Sequence, residues 1–192
     1  MEEAVRCARL TEATAMARTA LAVLSGIVFF LLVLPLLLAL AANGIGMALG
    51  LLSWPPAPFH LLGLPLVALG LTLAAWSGYA LITHGRGTPL PLMPTERLVI
   101  TGPYALCRNP MVLGELLYLT GLGLLLTSPA FLTLVWLAFF PAVVAYLKLV
   151  EERKLEERFG EAYLAYKREV PFLLPRPRRS RSGERAKRGA GI

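Results

Sequence analysis

Four stretches of this chain are long, apolar and nearly free of charge, and that property alone removes most of the folds open to 192 residues. From Thr19 to Ala42 no residue is charged, and 24 residues at about 1.5 Å rise reach roughly 36 Å, more than a hydrocarbon core of about 30 Å. Comparable runs cover about 61–83, 111–126 and 130–150, the third interrupted only by Glu115. In lipid every backbone N–H and C=O must find its partner within the segment, so such runs are helices. The expected fold is an all-α integral membrane protein with about four transmembrane helices. Its last two spans form a C-terminal helical hairpin turning at Thr127, Ser128 and Pro129, and a cytoplasmic amphipathic helix follows. A hydrophobic share of 56% excludes an ordinary soluble domain, and the first run is far longer than the ~7–15-residue core of a cleaved signal peptide.

The basic residues give the orientation. Three Lys or Arg lie in 1–18, three between His84 and Pro110, thirteen from Lys148 onward, and none in the other two connections. Positive charge gathers on the cytoplasmic side, so both termini and any polar site are expected there, with a prokaryotic inner membrane as the location. The chain divides into a cytoplasmic N-terminal segment (1–18), a membrane domain (19–175) and a basic tail (176–192) expected to be disordered. Pro35 should kink the first span. Asn43 to His60 reads as an uncharged loop dipping into the interface, with Trp54 as its anchor.

The net charge of +7 raises the question of nucleic acid. Arg176 to Arg188 supplies seven basic residues opposed only by Glu184, without interleaved aromatics or a helical period, so nucleic acid is not an expected partner. Membrane lipids are, at roughly 1 kcal/mol per basic residue held near an anionic surface; a merely solvated tail is the competing reading. Cys7 and Cys107 have no CxxC or His neighbour and read as free thiols, and no metal site is expected. Oligomeric state leaves no signature here.

Polar residues and backbone-shaping residues concentrate in two places. The first is Glu96 to Gly114, ERLVITGPYALCRNPMVLG, directly before the third span. Gly102-Pro103-Tyr104 is a turn signal, and Tyr104 either stacks on a flat ligand or marks the interface. Pro110 suits a first helical turn, which makes Asn109 a candidate N-cap; alternatively Asn109 and the loop backbone bind a polar ligand at the helix N-terminus, where N–H groups favour a carboxylate. Glu115, one turn into the span, is either a functional group or a boundary residue reaching water or Arg108. His84 is a boundary residue or a base. The second place is Glu151 to Pro175, EERKLEERFGEAYLAYKREVPFLLP, read as an amphipathic helix on which Leu155, Phe159, Ala162 and Tyr166 form one stripe flanked by Glu151 and Glu152. That face should lie on the membrane or cover the loop before the third span, and Gly160 is a candidate break. The bland alternative for the two glutamates is a first-turn preference for acid.

Together LVITGPYALCRNPMVLG, the hairpin and EERKLEERFGEAYLAYKREVP resemble the isoprenylcysteine carboxyl methyltransferase and phospholipid methyltransferase family of integral membrane enzymes, over about 80 residues of the C-terminal half. The resemblance implies S-adenosylmethionine bound at the cytoplasmic face by Glu96, Arg97, Leu98, Val99, Tyr104, Asn109, Pro110, Met111, Val112 and Glu151. Two departures matter. Asn109 replaces a histidine common in the family, as in some bacterial members. Leu147, followed by Lys148, stands where the eukaryotic prenylcysteine enzymes carry a substrate-binding arginine. The implied reaction is in-line transfer of a methyl group to a lipophilic small molecule or lipidated substrate, such as a prenylcysteine-type carboxylate. Lys148 would substitute for the missing arginine, and Glu115, Glu152 or His84 would serve an acceptor that must lose a proton. The alternatives are a phospholipid amine or small thiol as acceptor, a nicotinamide-dependent membrane reductase, and a scaffold without activity.

Overall fold

The computed structural model describes residues 17, 20–21, 23–50, 58–85 and 95–175. The N-terminal segment, Trp54, most of the loop from His84 to Pro94 and the basic tail lie outside the described residues. The described residues contain helices and no strand. Three helices are long and apolar enough to cross a membrane: α1 (Val23–Leu49), α2, which runs Gly63–Gly85 after a 3-10 turn at Pro58–Leu62, and α4 (Pro129–Phe159). Between the last two lies a shorter apolar helix, α3 (Pro110–Leu125), and a short α5 (Glu161–Glu169) follows. The protein is therefore an all-α membrane protein.

Each departure from the expected boundaries has a local cause. The first helix does not stop at Ala42; Asn43, Gly44 and Gly46 remain helical, and it ends at Gly50, whose left-handed φ of 64° closes the C-cap onto the Gly46 carbonyl. Glycine is tolerated inside a lipid-facing helix because no competing water offers the backbone another partner. At the other end of the chain, Glu151 and Glu152 do not begin a helix. They sit inside α4, whose 31 residues run unbroken through a π-helical turn at Leu147–Glu151, so a first-turn preference cannot explain them. Helix α3, with 16 residues, spans about 24 Å, less than a hydrocarbon core.

Helices α2 and α3 are antiparallel and meet backbone to backbone. A Cβ on Gly70 would come within 2.5 Å of the Gly114 carbonyl, and one on Gly121 within 2.6 Å of the Gly63 carbonyl. The two contacts are seven residues apart on both helices, so one face of each is reserved for close approach. On its other side α3 packs Leu116 and Leu119 against Ala42 of α1 and Ala130, Phe131 and Val135 of α4. Just before Pro35, α1 passes through a π-helical turn at Phe29–Val33. Pro35 has no N–H to give the Leu31 carbonyl four residues back, and the Tyr118 hydroxyl of α3 donates to that carbonyl instead at 2.9 Å. The tight α3–α4 turn holds Thr127 at φ 48°, and Ser128 caps α4 by accepting from the Phe131 N–H at 3.2 Å.

Candidate functional site

Four segments converge at the N-terminal end of α3: the loop at 95–109, the end of α4, α5, and the strap at 170–175. The loop begins on α2, where the Glu96 and Arg97 N–H groups donate to the Gly85 carbonyl at 2.8 and 3.2 Å and Val99 packs on Gly85. It crosses Trp76 at Gly102, whose φ of 61° glycine adopts without strain, and forms a 3-10 turn at Gly102–Ala105. Cys107 follows, buried and free, its thiol pushed up by burial.

The loop is locked from the C-terminal side. Tyr166 on α5 donates its hydroxyl to the Tyr104 carbonyl at 2.7 Å, the Arg108 N–H donates to the Pro171 carbonyl at 2.9 Å, and Asn109 Nδ2 donates to the Phe172 carbonyl at 2.9 Å. Arg108 lays its guanidinium over the Phe172 ring and pairs with Glu152 Oε1 at 2.5 Å, while Lys167 takes Glu152 Oε2 at 2.7 Å and Glu156 Oε1 at 2.8 Å. Burial pushes the Tyr104 and Tyr166 hydroxyls up, and burial with the neighbouring Glu152 does the same for Tyr163. The hydrogen bond to Glu152, then that to Glu156, raises Lys167.

This geometry corrects several expectations. Asn109 occupies the N-cap position of α3 but does not cap it, because its side chain is spent on the strap; the first N–H groups of the helix have no side-chain partner. Glu115 does not pair with Arg108, which Glu152 holds instead. Glu152 has each carboxylate oxygen engaged by a cation, which suits positioning. The stripe containing Ala162 is broken at Gly160 (φ 53°), and the inward residues of α5 are Tyr163 and Tyr166, with Ala162 exposed. The amphipathic segment thus covers the loop before α3.

The remaining site candidates lie at three places, the start of α3, the last turns of α4 and the end of α2. Asn109, Pro110, Met111 and Val112 form the start of α3, and Tyr104 lies in the 3-10 turn of the loop before it. Glu151 lies in the π-helical turn of α4, half-buried, with no ion pair or hydrogen bond to another described residue. Glu96 to Val99 are held against the end of α2, with Glu96 and Arg97 exposed, and His84 bonds the Thr83 hydroxyl beside them at 2.9 Å. Lys148 is exposed and stands 5.2 Å from the Phe172 ring centre. An open, mostly apolar cleft of about 440 Å³ runs from Phe140 and Val144 of α4 to the strap at Pro171 to Pro175. Sequence reasoning missed Phe172 and Lys167 altogether. Only the aromatic and basic residues downstream of Gly160 hinted at them.

Two buried polar atoms here have no partner, Arg108 Nε and Glu115 Oε1. The Nε–H of Arg108 beside an uncapped helix end is a donor that a carboxylate ligand would satisfy, and Glu151, without an ion pair among the described residues, is an acid that an ammonium would. The residues present therefore fit an amino-acid-like ligand. Among the described residues no group of His, Cys, Asp or Glu side chains could hold a metal ion.

The chain is similar to the cobalt-zinc-cadmium resistance protein CzcN of Cupriavidus metallidurans, 39% identical over 82 residues that cover 41% of this chain and 36% of that protein. It is also similar to the nickel-cobalt-cadmium resistance protein NccN of Alcaligenes xylosoxydans xylosoxydans, 32% identical over 115 residues that cover 56% of this chain and 47% of that protein. The chain thus spans less than half the length of either relative. No solved structure matches it. The sequence model of the phospholipid methyltransferases fits residues 58–162, which hold the glycine-paired helices, the loop, α3, the whole of α4 and the first residues of α5. That is more than half of the chain, and the chain belongs to the phospholipid methyltransferase family.

Proposed function

We propose that the protein is a membrane methyltransferase that uses S-adenosylmethionine and acts on a lipophilic acceptor at the cytoplasmic face. The observation that carries this reading is the uncapped N-terminus of α3 next to the buried, unpartnered Nε of Arg108. The N–H groups of Met111 and Val112, with Arg108, would hold the cofactor's carboxylate, and Glu151 its ammonium. Tyr104 and the Glu96–Val99 segment would line the far side of the pocket. When bound, the cofactor supplies an electrophilic methyl group on a sulfonium. Glu152 and Lys167 position Arg108 and exclude water from it. The cleft beside α4 is the acceptor's route from the bilayer, with Lys148 at its polar end facing an anionic headgroup or carboxylate of the prenylcysteine type.

A second reading of the acceptor, an amine or a thiol, is favoured by the buried carboxylate of Glu115. The test of the main proposal is calorimetric titration of the detergent-purified protein with S-adenosylmethionine and, separately, with a reduced nicotinamide cofactor. Saturable binding of the first, lost in Glu151→Ala without loss of the fold, is the expected result. Binding of only the second would move the chain to the reductases, and binding of neither would leave a scaffold. Retained affinity in Glu151→Ala would remove that residue from the site.

A further inference from the structure

Phe172 belongs to both halves of the proposed site. Its carbonyl accepts from Asn109 Nδ2 at 2.9 Å, and the Pro171 carbonyl beside it accepts from the Arg108 N–H at 2.9 Å, so the strap's backbone is fastened to the residues just before α3. Its ring centre stands 5.5 Å from Arg108 Cζ and 5.2 Å from Lys148 Nζ, both within the range at which a cation is attracted to a ring face. The same residue lines the open cleft of about 440 Å³, together with Phe140 and Val144 of α4. One side chain therefore stands beside the guanidinium proposed to hold the donor's carboxylate and also walls the passage proposed for an apolar chain.

The strap has little else to define its position. Residues 170–175 form neither helix nor strand, and Leu173 is their anchor in the core, buried in the cluster with Leu116, Leu119 and Phe131. A carboxylate seated on Arg108 Nε would fix the guanidinium, and the ring with it. A chain in the cleft would fix the ring from the membrane side. Each ligand thus needs the strap in the same place, and the first to bind leaves less conformational freedom for the second to remove.

We propose that Phe172 is a positioning residue that couples the two ligands: donor binding tightens the cleft on an apolar chain, and the chain tightens donor binding by the same factor. This rests on the methyltransferase reading above.

The test uses the full chain in lipid nanodiscs, titrated calorimetrically with S-adenosylhomocysteine in the presence and absence of dodecanoate. That compound carries the donor's carboxylate and ammonium but no methyl group to transfer, so binding is read without turnover. Dodecanoate should tighten its binding about tenfold in wild type. In Phe172→Leu, which keeps an apolar side chain and the strap carbonyls but offers the cations no ring, each ligand should still bind and the tightening should vanish. Phe172→Tyr, which restores the ring, should restore the coupling. In parallel, 4-fluorophenylalanine placed at position 172 should give a fluorine resonance that shifts with either ligand alone. Equal tightening in Phe172→Leu, none in wild type, a Phe172→Tyr no better coupled than Phe172→Leu, or a fluorine signal blind to one of the ligands would each overturn the proposal. Should Phe172→Leu not fold, the fluorine signal, read on a chain that keeps its ring, decides. S-adenosylhomocysteine that does not bind wild type at all is a separate result, which would overturn the methyltransferase reading and this one with it.

Discussion

Glu152 holds two cations at once, with Arg108 on one oxygen and Lys167 on the other, and it is 7% exposed. Removing one member of a buried pair leaves the other charge uncompensated, so Glu152→Gln should cost about 3 kcal/mol, read as a lower midpoint of thermal unfolding in detergent. It should also weaken donor binding by freeing Arg108. A midpoint at the wild-type value would show that the pair contributes nothing. The same cluster sets a limit at high pH. Tyr104 and Tyr166 lie above the ordinary phenol range through burial, and Lys167 above the ordinary amine range through Glu152 and then Glu156. Each proton is held more tightly in the folded state. The stability it lends is therefore complete below the unfolded values of about 10 and is lost as pH rises past them. Absorbance at the phenolate band should show these tyrosines ionising late and together with release of α5; ordinary, independent titration would contradict this. At this scale the sequence was only partly legible. Arg108, Asn109 and Glu152 stood out by type, but Phe172, whose carbonyl takes Asn109, lies 63 residues beyond it, and Lys167 reaches Glu152 across the break at Gly160, so no local pattern links them.

Helix α3 is wedged between α2 and the α1–α4 pair, and its two faces obey different rules. Toward α2 only glycine fits. A methyl group on Gly114 would meet the Gly70 carbonyl at 2.7 Å and the Ala74 nitrogen at 2.8 Å, both backbone atoms that cannot move aside. Gly114→Ala should therefore cost roughly 1–3 kcal/mol, whereas Gly44→Ala on α1, where nothing lies within 4 Å, should be neutral or stabilising by up to about 1 kcal/mol. Equal effects in the two variants would mean that the helices are not in backbone contact. The existence of these helices was legible from hydrophobic run length, which is a long-range signal carried by every residue of a span. The break at Gly160 was legible as a glycine inside a charged helix; the end of α1 was not, because it depends on Gly50 turning left-handed and not Gly44 or Gly46 before it, and composition ranks those glycines alike. The break at Gly160 also shifts the helical phase, which is why Tyr163 replaces Ala162 on the inner face.

Across the whole molecule, α3 covers about 24 Å while α4, with 31 residues, covers about 46 Å. With the α3–α4 turn at one membrane face, the start of α3 lies below the opposite face and the end of α4 stands above it, roofed by α5 and the strap. From the placement of the basic residues we propose that this opposite face is cytoplasmic. Reporter fusions at the C-terminus should accordingly be active only as cytoplasmic reporters, and periplasmic activity would invert the molecule. The closed seam between α2 and α3 then acts as a wall. No hydrocarbon tail can pass where two backbones touch, so under the proposed function an acceptor arriving from the bilayer has to come round by α1 or α4. A pair of glycines in each of two helices, chosen for how little space they take, thereby decides from which direction the protein can be fed.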